Sequence, residues 1–120
     1  MKFTLPKPPS INHIYGFTSK GGFARSYITK EGKEWFENSI IEIQKQTKKK
    51  KPISTEMEVS IELHTARRQD IDNIFKPCLD LLMKAEVIED DSLIYRITGE
   101  KFKAKVTEEH VVIEILGYGD

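Results

Sequence analysis

The sequence is most regular at Glu56-Met57-Glu58-Val59-Ser60-Ile61-Glu62-Leu63-His64. Polar and apolar residues alternate along this stretch without a break, which predicts a β-strand with one buried and one exposed face. Extending the alternation beyond this strand puts Asp70 and Asp72 on one side of the chain, with Cα atoms roughly 6.5 Å apart. Two carboxylates at this spacing can converge on one cation.

On the N-terminal side of this strand, the sequence predicts a hairpin and a long helix. The hairpin arms are expected at 14–17 and 23–28, joined by a glycine-containing turn, because glycine adopts positive φ without steric hindrance. Thr29 is expected to cap a helix over about 30–48, since the apolar residues of that segment fall largely on one stripe. The lysine run that follows would end this helix.

On the C-terminal side, the sequence predicts a second helix over about 74–85. Pro77 would lie in its first turn, where the missing N–H matters least, and Asp72 or Asn73 would be the N-cap. The other predicted elements are strands at 2–5, 93–104 and 111–116. This order predicts an α+β fold in which two helices pack on a mixed, mostly antiparallel sheet.

Composition limits the protein class. The chain has 120 residues, which predicts a single domain over 1–120. Lys+Arg and Asp+Glu both number 19, so no global basic field would attract a polyanion. Cys78 has no disulfide partner, which favours a reducing compartment and a place in the core. No segment approaches the roughly 18 apolar residues of a membrane span, so a soluble, cytoplasmic protein without membrane association is expected.

The most informative residues are Asp70, Asp72 and the pair Asp90-Asp91, the candidate ligands of a divalent cation. Close carboxylates repel one another, by roughly 4 kcal/mol for a pair at 4 Å and an effective dielectric near 20, unless a cation lies between them. Mg²⁺ prefers oxygen ligands and commonly uses a few carboxylates together with substrate phosphates. Lys76 lies one helical turn beyond Asp72, where its ammonium could stabilise the charge that builds on a phosphate during in-line attack. This set favours phosphodiester hydrolysis.

The same residues also have purely structural interpretations. Asp70 and Asp72 could be turn or cap residues, and Asp90 with Asp91 could simply lie in an exposed turn. Lys76 could form a surface ion pair worth a few tenths of a kcal/mol. An EF-hand fits poorly, because the expected glycine and glutamate of the loop are missing.

Four segments of the sequence belong together: Pro8-Pro9-Ser10-Ile11-Asn12-His13-Ile14-Tyr15, Asp70-Ile71-Asp72-Asn73-Ile74-Phe75-Lys76, Leu79-Asp80-Leu81-Leu82 and Asp90-Asp91. They resemble the RusA family of Holliday junction resolvases. The resemblance implies a homodimeric, Mg²⁺-dependent endonuclease that binds four-way DNA junctions by shape and cuts two opposing strands symmetrically. Position by position, it implies that Asp70, Asp72 and Asp91 bind the metal and that Lys76 is essential.

Arg67, Arg68 and Asn73 are the candidate substrate-binding residues. Some members of the family carry a longer arginine run at this place. The favoured function is Holliday junction resolution during DNA recombination and repair. Two alternatives are a nuclease acting on other branched DNA, and a non-catalytic dimeric DNA-binding protein that uses the two arginines together with the lysines at 48–51 and 101–105.

Overall fold

A computed structural model describes residues 1–48 and 51–119. Short 3₁₀ turns at 20–22, 71–74, 91–93 and 106–108 connect the regular elements. The elements, in chain order, are β1 (Lys2–Pro6), α1 (Ile11–Ile14), β2 (Tyr15–Thr18), β3 (Arg25–Ile28), α2 (Lys30–Gln46), β4 (Met57–Thr65), α3 (Phe75–Lys84), β5 (Ile94–Lys103) and β6 (His110–Gly117).

Four strands form the main sheet, in the order β1-β6-β4-β5. The β1–β6 and β6–β4 pairs are antiparallel, whereas β4 and β5 are parallel. The parallel pair needs a crossover connection, and α3 provides it. The second sheet is the predicted hairpin, formed by β2 and β3. The α+β fold with a mixed sheet is therefore confirmed.

The alternation in the central strand predicted its burial correctly. Met57, Val59, Ile61 and Leu63 in β4 are each at most 1 % exposed. The apolar faces of α2 and α3 pack on this side of the sheet, and fully burying each such side chain stabilises the fold by about 1.5–3 kcal/mol. Cys78 of α3 is also fully buried, as predicted, and burial raises the pKa of its thiol to about 12.

The start of the long helix was predicted correctly and its end was not. Thr29 caps α2, because the Gly32 N–H donates to Thr29 Oγ1 at 3.0 Å. The helix ends at Gln46, before the lysine run, since Thr47 adopts an extended backbone conformation. Lys49 and Lys50 of that run lie outside the described residues.

The predicted N-cap of the second helix was wrong. A 3₁₀ turn over Ile71–Ile74 leads straight into α3, so Asp72 and Asn73 lie inside the turn and neither caps the helix. Asp70 precedes the turn, but its side chain accepts no backbone N–H there. Pro77 lies in the first turn of α3, as predicted.

No helix within 1–48 or 51–119 is long and apolar enough to span a bilayer.

Candidate active site

Asp70 and Asp72 lie in the connection between β4 and α3, which packs closely on β5. A Cβ atom at Gly99 of β5 would lie 2.7 Å from the Phe75 ring and 3.0 Å from the Ile71 side chain, so glycine is what permits this approach. The Asp70 and Asp72 side chains are exposed and make no hydrogen bond or ion pair with any residue that the structure describes. Two unpaired carboxylates therefore project from one tightly packed segment, residues 70–74, which we call the acidic turn.

A polar network fixes the point where this connection leaves the sheet. Glu109 Oε2 accepts hydrogen bonds from the Ala66 N–H at 2.8 Å, the Thr65 hydroxyl at 2.9 Å and the Lys7 ammonium at 3.0 Å. These three donors, the Ala66 N–H foremost, lower the pKa of Glu109 to about 2. Thr65 is the last residue of β4, so the network holds the chain at the entrance to the acidic turn.

Lys76 lies in the first turn of α3, where two side chains restrain it. Its ammonium donates to Asp80 Oδ2 at 3.3 Å and lies 4.8 Å from the centroid of the Tyr15 ring. The Tyr15 hydroxyl donates to the same Asp80 oxygen. Burial, followed by this hydrogen bond to Asp80, raises the pKa of Tyr15, so the hydroxyl stays a donor at neutral pH. Tyr15, Asp80 and Lys76 form a cluster that we call the lysine clamp.

The backbone beside Tyr15 is anchored to the long helix. The Thr29 N–H donates to the Ile14 carbonyl at 2.8 Å, and Gly32 packs against the same residue. Ile14 itself is fully buried. The base of the hairpin, and with it Tyr15, is therefore held in a defined position over α3.

Asp91 lies elsewhere, in the 3₁₀ turn just before β5. Its neighbour Asp90 caps that turn, accepting from the Ser92 N–H at 3.0 Å, and hydrogen bonding to the Ser92 side chain and then to this N–H lowers the pKa of Asp90. The Asp91 side chain is exposed and has no polar partner in the described part of the chain. Of the two adjacent acids, Asp91 is thus the one whose oxygens are free to bind a ligand.

One chain does not bring Asp91 to Asp70 and Asp72. Among residues 1–48 and 51–119, no three His, Cys, Asp or Glu side chains are close enough together to hold a metal ion. The strand register gives the reason. Ile71 packs at Gly99, whereas Asp91 precedes Ile94, and the strand between Ile94 and Gly99 spans roughly 16 Å.

The arginines predicted to bind substrate lie beside the acidic turn. Arg67 and Arg68 are exposed and line one cleft together with Lys101 and Lys103 of β5. The Lys101 ammonium donates to the Gln69 carbonyl at 2.7 Å, which ties β5 to the turn. Two basic segments that are distant in the sequence thus form a single cationic surface. The side chain of Asn73, also predicted to bind substrate, has no polar partner among the described residues.

Comparison with known proteins places this arrangement in a family. The family model described as endodeoxyribonuclease RusA matches residues 6–116. The chain belongs to the RusA family. A crossover junction endodeoxyribonuclease RusA from Aquifex aeolicus is 35 % identical over 115 residues, covering 92 % of this chain and 84 % of the relative. Relatives of the same name from Escherichia coli and Shigella sonnei are 30 % identical, covering 88 % of this chain and 92 % of their own.

RusA membership was predicted correctly from the four segments, but two functional candidates within them were not singled out. Tyr15 ends the first segment and Asp80 belongs to the third, and the structure shows that both contact Lys76. Asp80 was detectable, because it lies four residues beyond Lys76 on one helix face. The hydrogen bond between Tyr15 and Asp80 joins residues 65 positions apart, so no local sequence pattern indicates it.

Proposed function

We propose that this RusA-family protein is a Mg²⁺-dependent endodeoxyribonuclease that resolves four-way DNA junctions by paired, symmetric incisions during recombination and repair. The observation that carries the proposal is the lysine clamp, which restrains Lys76 in the first turn of the helix that directly follows the unpaired carboxylates of Asp70 and Asp72. The names of the relatives support the choice of substrate, since they are crossover junction endodeoxyribonucleases.

Asp70, Asp72 and Asp91 would hold the metal. Their carboxylates are exposed and unpaired within the described chain, and oxygen is the ligand type that Mg²⁺ prefers. When bound, Mg²⁺ would polarise the scissile phosphate and lower the pKa of a water molecule at the site. The oxygen atoms of these three carboxylates are suitable ligands for Mg²⁺, and a second chain would be needed to bring the three carboxylates together.

We propose that each site is completed across a two-fold homodimer, with Asp91 supplied by one protomer and Asp70 with Asp72 by the other. Two features support this arrangement. The register of β4 and β5 separates Asp91 from the acidic turn within one chain, and an isologous interface would create two identical sites at once. Two symmetry-related sites are also what paired incision of a junction requires.

Lys76 would act on the phosphate directly. An ammonium is a compact charge with three donors, and it can stabilise the negative charge that builds on the phosphoryl oxygens during attack. Asp80 and the Tyr15 ring restrict its position before the substrate arrives. Such preorganisation lowers the reorganisation needed at the moment of reaction.

The cationic cleft would position the DNA arms. Arg67, Arg68, Lys101 and Lys103 can contact phosphates without reading sequence, which suits recognition by shape. Asn73 would add an amide next to the acidic turn. We place this activity in the cytoplasm, where bacterial relatives of this kind would meet chromosomal DNA and a free cysteine stays reduced.

The test is cleavage of a synthetic four-way junction with Mg²⁺ or with EDTA, mapping incisions on all four strands. We expect paired cuts on opposing strands with Mg²⁺ and none in EDTA. Asp70→Asn should abolish cleavage while junction binding stays near that of the unmodified protein. Flap, Y-shaped and linear substrates distinguish a junction resolvase from a nuclease for other branched DNA. Unchanged cleavage by Asp70→Asn would refute the assigned site.

A further inference from the structure

The β2–β3 hairpin carries large aromatic side chains that the core does not absorb. Phe17 is 79 % exposed, Phe23 is 72 % exposed and Tyr27 is 51 % exposed. Isolated exposed apolar residues are ordinary, but three exposed aromatic rings on one short hairpin are unusual for a surface without a ligand. The hairpin pairs only with itself among the described strands, so the main sheet does not cover it.

One face of this hairpin opens onto the lysine clamp. The strand register pairs Tyr15 with Ile28 and Phe17 with Ser26, which puts these side chains on the same face. That face lines a groove of about 420 Å³, and Lys76 of α3 lines the same groove. We call it the aromatic groove.

The strand that carries Phe17 is braced on both faces. Tyr15, two residues earlier on the same face, is fixed by its hydrogen bond to Asp80. On the other face of the hairpin the Tyr27 ring covers Gly16, where an added Cβ atom would lie 2.3 Å from the ring. The exposed Phe17 ring is therefore presented from a braced strand.

The charge of the groove selects the kind of ligand. Between Tyr15 and Ile28 the sequence has two basic residues, Lys20 and Arg25, and no acidic residue. Asn12 and Ser26 add neutral polar groups to the groove wall. The acid in contact with Lys76 is Asp80 of α3, which is already paired with Lys76 and Tyr15. An exposed aromatic ring and an ammonium that line one groove complement a nucleotide, which has both a π face and a negative charge.

We propose that the aromatic groove binds one unstacked nucleobase of the branched DNA, with the base stacked on Phe17 and its phosphate directed to Lys76. This inference rests on the proposed function and adds to it a base-binding subsite next to the scissile phosphate. Stacking on an aromatic ring tolerates any base, because every base has a π face. The subsite would select for a helix interruption, since only there is a base free to leave the stack.

The experiment uses the full chain, a synthetic four-way junction and substitutions that separate stacking from hydrophobicity. Phe17→Leu keeps an apolar side chain but removes the ring, whereas Phe17→Trp keeps a stacking surface. Tyr95→Leu makes the same kind of change at another exposed aromatic residue, outside the groove. Junction Kd in EDTA and cleavage rate in Mg²⁺ are measured for each protein.

The second variable is the DNA, in which each nucleotide at the branch point is replaced in turn by an abasic residue. We expect Phe17→Leu to weaken junction binding about tenfold, with Phe17→Trp and Tyr95→Leu close to the unmodified protein. One abasic position should weaken binding of the unmodified protein by a similar factor. An abasic residue at that position should not weaken junction binding by Phe17→Leu any further, because the ring on which the base would stack is already missing.

Three results would overturn the inference. The first is independent losses, in which the abasic site weakens junction binding by Phe17→Leu as much as it weakens binding by the unmodified protein. The second is a Phe17→Leu variant that binds the junction as tightly as the unmodified protein. The third is a dimeric unmodified protein whose Phe17→Leu variant is monomeric in sedimentation velocity, which would make the groove an interface between two copies of the chain. Failure of the proposed function is seen separately, as a lack of Mg²⁺-dependent cuts by the unmodified protein.

Discussion

The Lys76 ammonium lies 3.3 Å from the Asp80 carboxylate, one helical turn further along α3. The Asp80 carboxylate also accepts the Tyr15 hydroxyl, so this helix surface is tied to the base of the hairpin. The Lys76 side chain is 57 % exposed, so the ion pair itself contributes little to stability. Its consequence is a cation held at the wall of the groove beside the β2–β3 hairpin.

We expect Asp80→Asn to impair catalysis much more than folding. Cleavage of a saturating junction should slow by about ten- to a hundredfold, because small misplacements of a catalytic group have effects of that size, while KM changes little. The melting temperature should stay nearly unchanged. Glu42→Gln is the matched control, since it removes a similar helical ion pair, with Lys45, remote from the lysine clamp. An equal loss of activity in both variants would contradict the positioning role.

The Glu109 network predicts a specific dependence of stability on pH. The folded pKa of about 2 lies below the ordinary value of 4.5, so the ionised carboxylate stabilises the fold above about pH 4.5. That contribution is lost as the pH falls from about 4.5 toward 2. The melting temperature of Glu109→Gln should therefore be below that of the unmodified protein at neutral pH, and the gap should narrow in acid.

Glu108→Gln serves as the control for this pH experiment. Its carboxylate is adjacent in sequence but has no polar partner in the ranges that the structure describes. It should show no such gap at any pH. A gap for Glu109→Gln that stays constant down to pH 3 would mean that the three donors do not hold an ionised carboxylate.

Metal binding and capping can be separated at Asp72. In EDTA, Asp72→Asn should be as stable as the unmodified protein or more so, because the Asp72 side chain caps nothing and its charge is unpaired. Mg²⁺ should raise the melting temperature of the unmodified protein by mass action and leave that of the variant unchanged. A melting temperature clearly lowered by the substitution in EDTA would favour a structural role.

Substitutions of the adjacent residues Asp90 and Asp91, just before β5, should have opposite effects on stability and cleavage. Asp90→Ala should lower stability while cleavage continues, because Asp90 accepts the Ser92 N–H and caps the turn. Asp91→Ala should keep stability in EDTA and lose cleavage. Thermal unfolding and junction assays of the two proteins give both readouts. The reverse pattern would exchange the roles assigned to these two residues.

Local patterns in the sequence predicted local structure well. The alternation over 56–64 corresponds to β4, Thr29 caps α2 through Gly32, and Cys78 is a core residue. These features depend on neighbours within a few residues, so periodicity and capping chemistry are sufficient to find them. The sequence did not predict the 3₁₀ turn before α3. Such a turn forms its hydrogen bonds within the backbone, so it needs no side-chain cap that a sequence pattern would reveal.

What the sequence could not predict is which distant residues meet. The spacing from Asp72 to Asp91 gave no sign that β4 and β5 run parallel, and this parallel pairing is what separates the two acids. The contact of Tyr15 with Asp80 likewise depends on how the hairpin packs over α3. Tertiary placement therefore decides both the lysine clamp and the incomplete metal site of a single chain.

The shared metal site is tested most directly with a heterodimer of Asp70→Asn and Asp91→Asn protomers, coexpressed with two different tags and purified through both. If Asp91 completes the partner's site, one of the two sites in this heterodimer has its full set of acids, and the other lacks two. We therefore predict Mg²⁺-dependent nicking of a single strand per four-way junction, with neither homodimer active. A heterodimer that is stable, binds the junction and cuts nothing would contradict a site shared between protomers.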